Sequence, residues 1–175
     1  MSDRIAVMLD GRLLQIASPT ELYEQPTDLA VAEFIGSPKI NVLPARLRDD
    51  GLVDVHGHTL PITAEACAGP QIKIAFRPEN ACMLPRRNVA APEGGIAGQV
   101  VHRENLGSDV YIHMRSQDQT LVIRMHPKEA AAITHGEEVR VLPEPERVSL
   151  FDVGGRRIDV TGGAVADDRT QLARH

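Results

Sequence analysis

Ile72-Lys73-Ile74-Ala75-Phe76-Arg77-Pro78-Glu79 and Val139-Arg140-Val141-Leu142-Pro143-Glu144-Pro145-Glu146 are two copies of one pattern, a strand-like apolar arrival that ends on proline and glutamate. Each copy leads into a further apolar stretch, Ala81 to Leu84 and Val148 to Phe151. Each also has a Thr-Leu-x-Ile run upstream, Thr59 to Ile62 and Thr120 to Ile123. A unit this small closes its own core poorly, so the two are expected to pack side by side or share strands. From Ile40 onward the chain is a series of short alternating runs, including Leu52 to Val55, Gln71 to Phe76, Gln99 to His102, Val110 to Met114, Leu121 to Met125 and Glu138 to Leu142. Gly, Pro or Asn separates most of them. This spacing predicts a mainly β fold, a small antiparallel barrel or sandwich built of two similar units. Pro127 to Ile133 is the one stretch there that reads as a helix.

The N-terminal part reads differently. Ile5 to Leu9 and Arg12 to Ile16 flank Asp10-Gly11, the dipeptide of a tight primed turn, and so form a β-hairpin. Ser18-Pro19-Thr20-Glu21 fits a capping box with proline at the first helical position, starting a helix that stops near Pro26. Thr27 reads as a second N-cap, ahead of an apolar stripe of Val31, Phe34 and Ile35, with Gly36 closing that helix. At the other end, two Gly pairs, scattered charges and no apolar periodicity make Gly154 to His175 read as a mobile tail.

Composition narrows the function classes. Hydrophobic residues make up 42% of the 175, but aromatics only 3% with no Trp, so the core must be aliphatic and stacking surfaces are scarce. A net charge of -5 offers no basic footprint for nucleic acid. An OB-like nucleic-acid binder would also need stacking aromatics, and only Tyr23, Tyr111, Phe34, Phe76 and Phe151 are present. No apolar run approaches the roughly 20 residues that span a bilayer, and Met1-Ser2-Asp3 does not open a signal peptide, so a cytoplasmic location is expected. Cys67 and Cys82 lack Cys-x-x-Cys spacing and read as reduced thiols.

Several segments carry a resemblance. Arg4-Ile5-Ala6-Val7-Met8, Asp10-Gly11-Arg12, Ser18-Pro19-Thr20-Glu21-Leu22-Tyr23 and Phe34-Ile35-Gly36-Ser37-Pro38 resemble, in order and spacing, the C-terminal end of the nucleotide-binding domain in ABC importer ATPases of the maltose and glycerol-3-phosphate class. Phe76-Arg77-Pro78-Glu79 resembles the Gly/Phe-Arg-Pro-Glu motif of the OB-like TOBE regulatory domain that follows it. Glu104 to Ser108 and Pro145 to Asp152 are similar to further segments of that domain. The resemblance runs from Asp3 to Asp152. It implies a remnant of the nucleotide-binding domain over 1–39, a TOBE domain over 40–153 and a tail over 154–175. It also implies a cytoplasmic subunit at the inner membrane that regulates and stabilises a homodimer of ATPases, with permease subunits and an inhibitory regulatory protein as partners. ATP and Mg belong to the parent family, and no cofactor or metal is expected in this chain. The apolar face of the second helix is expected to need the nucleotide-binding domain as its cover.

The chemistry-bearing motifs agree with that absence. A P-loop needs Gly-x-x-x-x-Gly-Lys-Ser/Thr, whereas Lys39, Lys73 and Lys128 follow Pro, Ile and Pro. There is no Leu-Ser-Gly-Gly-Gln-like signature and no apolar strand ending in Asp-Glu. The chain is expected not to hydrolyse ATP, and no catalytic residue is assigned. Asp54-Val55-His56-Gly57-His58 alternates three ligand types, but Gly57 marks a hairpin tip with exposed histidines rather than a metal site. His102, His113, His126 and His135 are isolated in sequence. Arg77 and Glu79 flank a proline that holds Arg77 extended, so they either brace the turn leaving the barrel or pair across a subunit or partner interface. Glu146 is their counterpart in the second unit. Asn105, Gly107 and Ser108 form either a plain turn or a loop where ligands or partner proteins dock. The alternative reading, a free-standing OB-like small-molecule or oxyanion binder, needs converging amides or a basic and hydroxyl cluster, which the sequence does not display.

Overall fold

The computed structural model describes residues 4–64, 69–86 and 95–163. The chain opens with a ribbon of β1 (Ile5–Leu9) and β2 (Arg12–Ala17). Its turn has φ of 49° at Asp10 and 75° at Gly11, the left-handed pair that a primed turn requires. Helix α1 (Pro19–Glu24) begins on the predicted capping box, with the Glu21 amide donating to the Ser18 hydroxyl and the Ser18 amide donating to the Glu21 carboxylate.

Helix α2 (Leu29–Phe34) departs from expectation in two ways. Its N-cap is Asp28, whose carboxylate accepts from the Ala30 amide at 2.8 Å, not Thr27. Thr27 instead donates its amide and hydroxyl to the Gln15 side chain, which ties the entry of α2 to the ribbon. The buried face is Leu29, Val31 and Ala32, while Phe34 is 71% exposed. The reason is that α2 is held from two sides. Val31 packs with Val7, Ala17 and Leu22, whereas Leu29 and Ala32 pack with Ile40, Ala75 and Phe151. The helix therefore covers part of the β body itself, besides any surface outside the described residues.

The body comprises β3 (Asn41–Leu47), β4 (Leu52–Val55), β5 (His58–Ala64), β6 (Gln71–Phe76), β7 (Ala81–Pro85), β8 (Ile96–Asn105), β9 (Val110–Ser116), β10 (Gln119–Met125), α3 (Pro127–Ala130), β11 (Glu138–Pro143), a one-turn 3-10 helix (Pro145–Arg147), β12 (Val148–Asp152), β13 (Arg157–Ile158) and β14 (Val160–Gly163). All pairings are antiparallel. They form one sheet in the order β13-β12-β6-β3-β4-β5-β14 and another in the order β10-β9-β8-β11-β7. Only Asp159 separates β13 from β14, which sit at opposite ends of the first order, so that sheet curls back on itself. The ends of the second, β7 and β10, also touch. Both sheets enclose one aliphatic core that includes Leu43, Ile74, Met83, Ile112, Val141 and Leu150.

The repeat is resolved by exchange of strands. β6 of the first unit pairs with β12 of the second, and β7 pairs with β11, so each unit contributes to both sheets. Asn41 pins the sheets together: its side-chain amide donates to the Val122 carbonyl and accepts from the Val122 amide, both at 2.8 Å, satisfying the edge of β10. Pro44 is tolerated within β3 because β3 meets β4 only at Arg46 and Leu47.

Two expectations are corrected here. The segment from Gly154 is not a tail throughout, because β13 pairs with β12, β14 pairs with β5, and Ile158 belongs to the core. Residues 164–175 lie outside the described residues, as does Cys67. The predicted helix over Pro127 to Ile133 stops at Ala130, where Arg103 donates to the carbonyls of Ala130 and Ile133.

Candidate functional site

Arg77 leaves the end of β6 and, despite its charge, is only 3% exposed. Pro78 holds it extended, and the side chain reaches away from its own turn to the helices. Nη1 donates to the Ala32 carbonyl at 3.1 Å and the Ile35 carbonyl at 2.6 Å, and Nη2 donates to the Tyr23 carbonyl at 3.2 Å. These carbonyls belong to the last turns of α1 and α2, the helix ends that lack intrahelical donors and carry partial negative charge. One guanidinium thus satisfies the C-termini of two helices. Its Cζ lies 4.1 Å from the centroid of the Tyr23 ring, a cation–π contact. Gly36 makes this approach feasible. It has φ of +105°, and a Cβ there would lie 3.0 Å from Arg77 Nη1 and 3.1 Å from Tyr23 Cε2.

Tyr23 completes the arrangement by donating its hydroxyl to the Glu79 carboxylate. Its phenol is pushed up to about 12, first by burial and then by that hydrogen bond, which holds the proton on oxygen. Burial lowers Arg77 from its ordinary value, while Tyr23 and Glu79 act in the opposite sense. Arg77, Tyr23 and Glu79 therefore form a clamp between the N-terminal ribbon and helices and the β body.

Beside the clamp lies an open cleft of about 470 Å³, lined among others by Glu24, Glu79, Glu144, Glu146, Arg147 and Arg157. The two repeat turns meet here, because the Glu144 amide donates to the Asn80 carbonyl at 2.8 Å. Glu146 is exposed on the rim. Arg147 approaches Glu24 at 3.5 Å, with both side chains about half exposed, a weak pair. The structure thus brings Arg77, Glu79 and Glu146 to one junction.

Asn105, Gly107 and Ser108 form a separate exposed turn between β8 and β9, with Gly107 at φ +89° and the Asn105 side chain accepting from its amide at 3.0 Å. Arg124 Nε donates to Asp109 at the end of this turn, at 2.8 Å. That hydrogen bond, followed by one from Ser108, holds the Asp109 carboxyl below its ordinary value. Sequence reading missed Tyr23, Gly36, Asp109 and Arg124. Only the Pro-fixed direction of Arg77 hinted at a distant partner.

The histidines also differ from expectation. His56 is half-buried rather than exposed, its Nδ1 lying 3.2 Å from the buried Ser116 hydroxyl, and Asp54 accepts from the Gly57 amide to close that hairpin. His102 and His113, distant in sequence, are cross-strand partners with ring centroids 5.3 Å apart, beside Glu104. Among the described residues no helix is long and apolar enough to cross a membrane.

Residues 74–151 match the TOBE domain. The chain is 38% identical over 161 residues to the sn-glycerol-3-phosphate import ATP-binding protein UgpC of Cereibacter sphaeroides, covering 90% of this chain and 43% of that protein. It is 33% identical over 161 residues to the trehalose/maltose import ATP-binding protein MalK of Thermococcus litoralis, covering 87% of this chain and 43% of that protein. The chain therefore spans less than half the length of these curated relatives. Among solved structures, the cytoplasmic molybdate-binding protein ModG is similar with a TM-score of 0.50 and 12% identity, covering 64% of this chain and 95% of that one, a likeness of fold alone. The β architecture is OB-like, residues 74–151 match the TOBE domain, and over some nine-tenths of its length the chain is similar to the ATP-binding proteins of sugar and glycerol-3-phosphate importers.

Proposed function

We propose that this chain acts as the regulatory, dimer-stabilising C-terminal region of the ATPase subunit of an importer for sugars or glycerol phosphate. In this reading residues 1–39 belong to the nucleotide-binding domain and the β body is the control module. The observation that carries it is the continuous similarity across both the ribbon with its helices and the β body, two parts that the buried Arg77 fastens together. A free-standing ligand-binding barrel has no need of an appended ribbon whose Met8, Leu9 and Leu13 are roughly half exposed. The partners in this reading are a second ATPase subunit, the permease subunits and an inhibitory protein. Its place is the cytoplasmic face of the membrane. ATP and Mg act in the ATPase rather than on side chains of this chain, and Asn105, Gly107, Ser108 and Glu146 lie on contact surfaces.

Titration calorimetry with molybdate, sulfate and sugar phosphates, run beside sedimentation equilibrium of the same material, tests the reading. The expected result is no saturable heat together with self-association. A stoichiometric heat with any of these anions, from a chain that stays monomeric, would favour the small-molecule binder instead.

A further inference from the structure

The cleft beside the clamp holds hydrogen-bonding groups that the chain itself leaves unused. Val148 and Leu150 of β12 enter the aliphatic core, so Ser149 and Phe151 face the opposite side of the strand. Phe151 packs there with Leu29 and Ala32 of α2, whereas Ser149 lies on the cleft wall. Ser149 is only 6% exposed, and among the described residues its hydroxyl has no hydrogen-bond partner. Nearly buried hydroxyls without a partner are uncommon, because they forfeit the hydrogen bonds that water would supply. The half-buried Asn80 side chain, also on the wall, is likewise unpaired. Arg77 commits both Nη atoms to helix carbonyls, and its Nε is buried without a partner.

The charges around these groups are mixed. Glu144 and Glu146 form no ion pair among the described residues, while Glu24 faces Arg147 at 3.5 Å and Arg157 donates to the Pro26 carbonyl at 3.4 Å. An anion entering the cleft meets these three carboxylates and Glu79, and a cation meets three guanidinium groups. The signs are interleaved rather than sorted to opposite ends, since Arg147 follows Glu146 directly and Arg77 precedes Glu79 by two, so a dipolar ion gains little. A neutral molecule rich in hydroxyls suits such a wall, because each hydroxyl both donates to a carboxylate and accepts from a guanidinium, amide or serine. The volume of about 470 Å³ falls within the range of about 300–1,000 Å³ of small-molecule sites, and Tyr23, Ile40 and Val148 supply apolar lining.

We propose that this cleft binds a neutral polyhydroxylated small molecule, of the chemical class of a mono- or disaccharide, with Ser149 and Asn80 as its fixed polar contacts. Tyr23, Glu24 and Gln25 come from α1 and its C-cap, and Asn80, Glu144 and Ser149 from the β body, so the bound molecule bridges the two parts that Arg77 fastens. Binding that needs both parts in place must stabilise their junction. As a control input the site rests on the regulatory reading, whereas its occupancy is measured independently of that reading.

Calorimetric titration of the full chain with maltose and with trehalose, accompanied by hydrogen exchange, tests the proposal. A saturable, equimolar heat is expected with at least one of these neutral disaccharides, together with slower exchange of the Leu22 and Gln25 amides. Ser149→Ala and Asn80→Ala are each expected to weaken that binding about two- to tenfold, the worth of one hydrogen bond. Two variants are used so that a folding defect in either leaves the other to decide. Glucose 6-phosphate and putrescine, an anion and a cation, are expected to give no saturable heat. Silence with both disaccharides, binding that neither variant weakens, or tighter binding of either ion overturns the proposal. A chain that self-associates yet is silent with the disaccharides loses this site and keeps the regulatory reading, which fails instead on anion binding by a monomer.

Discussion

Replacing Arg77 by Met keeps most of the apolar stem of the side chain and removes the guanidinium. Three hydrogen bonds from a charged donor disappear, at 3.1, 2.6 and 3.2 Å, and each leaves a carbonyl at a helix end without that donor. Such bonds contribute about 1.5–3 kcal/mol each, towards the lower figure where water can return, and the contact with Tyr23 adds about 0.5–1 kcal/mol. Relief of the buried guanidinium's own desolvation offsets part of this, leaving a net loss of about 3 kcal/mol. The loss should fall on the junction rather than on the core. The amides of Leu22, Gln25, Ala32 and Ile35 are therefore expected to lose about 100-fold of their hydrogen-exchange protection, while Ile74 and Leu150 change only a few-fold. Arg77→Lys is expected to recover little, because an ammonium cannot fork to carbonyls of two helices while lying over the Tyr23 ring. Equal loss at all amides, or less than about a fivefold loss on α1 and α2, would refute the assignment of Arg77 as the fastening between ribbon and β body.

The remaining expectations concern stability. Asn41→Ala strands an amide and a carbonyl of β10 and should lower unfolding free energy by about 2–4 kcal/mol in urea titration. Gly98→Ala would place a Cβ 2.4 Å from the Arg115 carbonyl oxygen and 2.6 Å from Met114 Cε, and since backbone cannot yield as a side chain tip does, the β8–β9 ladder should be disrupted, seen as lost exchange protection along β9. Tyr23 titrates near 10 when free and about 12 when folded, so its contribution is complete below pH 10 and is lost as pH rises towards 12. Tyr23→Phe should flatten the fall of the urea midpoint between about pH 10 and 12.

The parts of the fold that alternate clearly were legible in advance. β4 and β6 have the predicted bounds because every second residue of Leu52 to Val55 and Gln71 to Phe76 enters the core. β3 was obscured by Pro44, which a strand accepts only where its missing N–H has no partner to meet. β13 and β14 were not legible at all: a two-residue strand and one ending in Gly162-Gly163 have no pattern of their own and are held by pairing with β12 and β5. Arg77 was legible as a singular residue but not as a buried one. A charged residue before proline reads as surface turn, and what makes its burial favourable is a set of helix-end carbonyls brought from more than forty positions away. The link between Asp109 and Arg124 depends on the β9–β10 register, which no local signal specifies.

The internal repeat explains why only one of its turns can hold the helices. Aligned copy to copy, Arg77-Pro78-Glu79 corresponds to Glu144-Pro145-Glu146, so the residue before the proline differs in charge. Proline fixes the direction in both turns, but only a cation can satisfy carbonyls at helix C-termini, where a carboxylate would add repulsion. Arg77 of the first copy is accordingly buried against α1 and α2, and the second leaves Glu144 and Glu146 exposed on the cleft, tied to the first by the Glu144 amide and the Asn80 carbonyl. One pseudo-symmetric pair of turns thereby acquires two uses. One turn fastens the neighbouring module, and the other presents acidic groups at the seam. A single change of charge at corresponding positions is enough to make the junction one-sided.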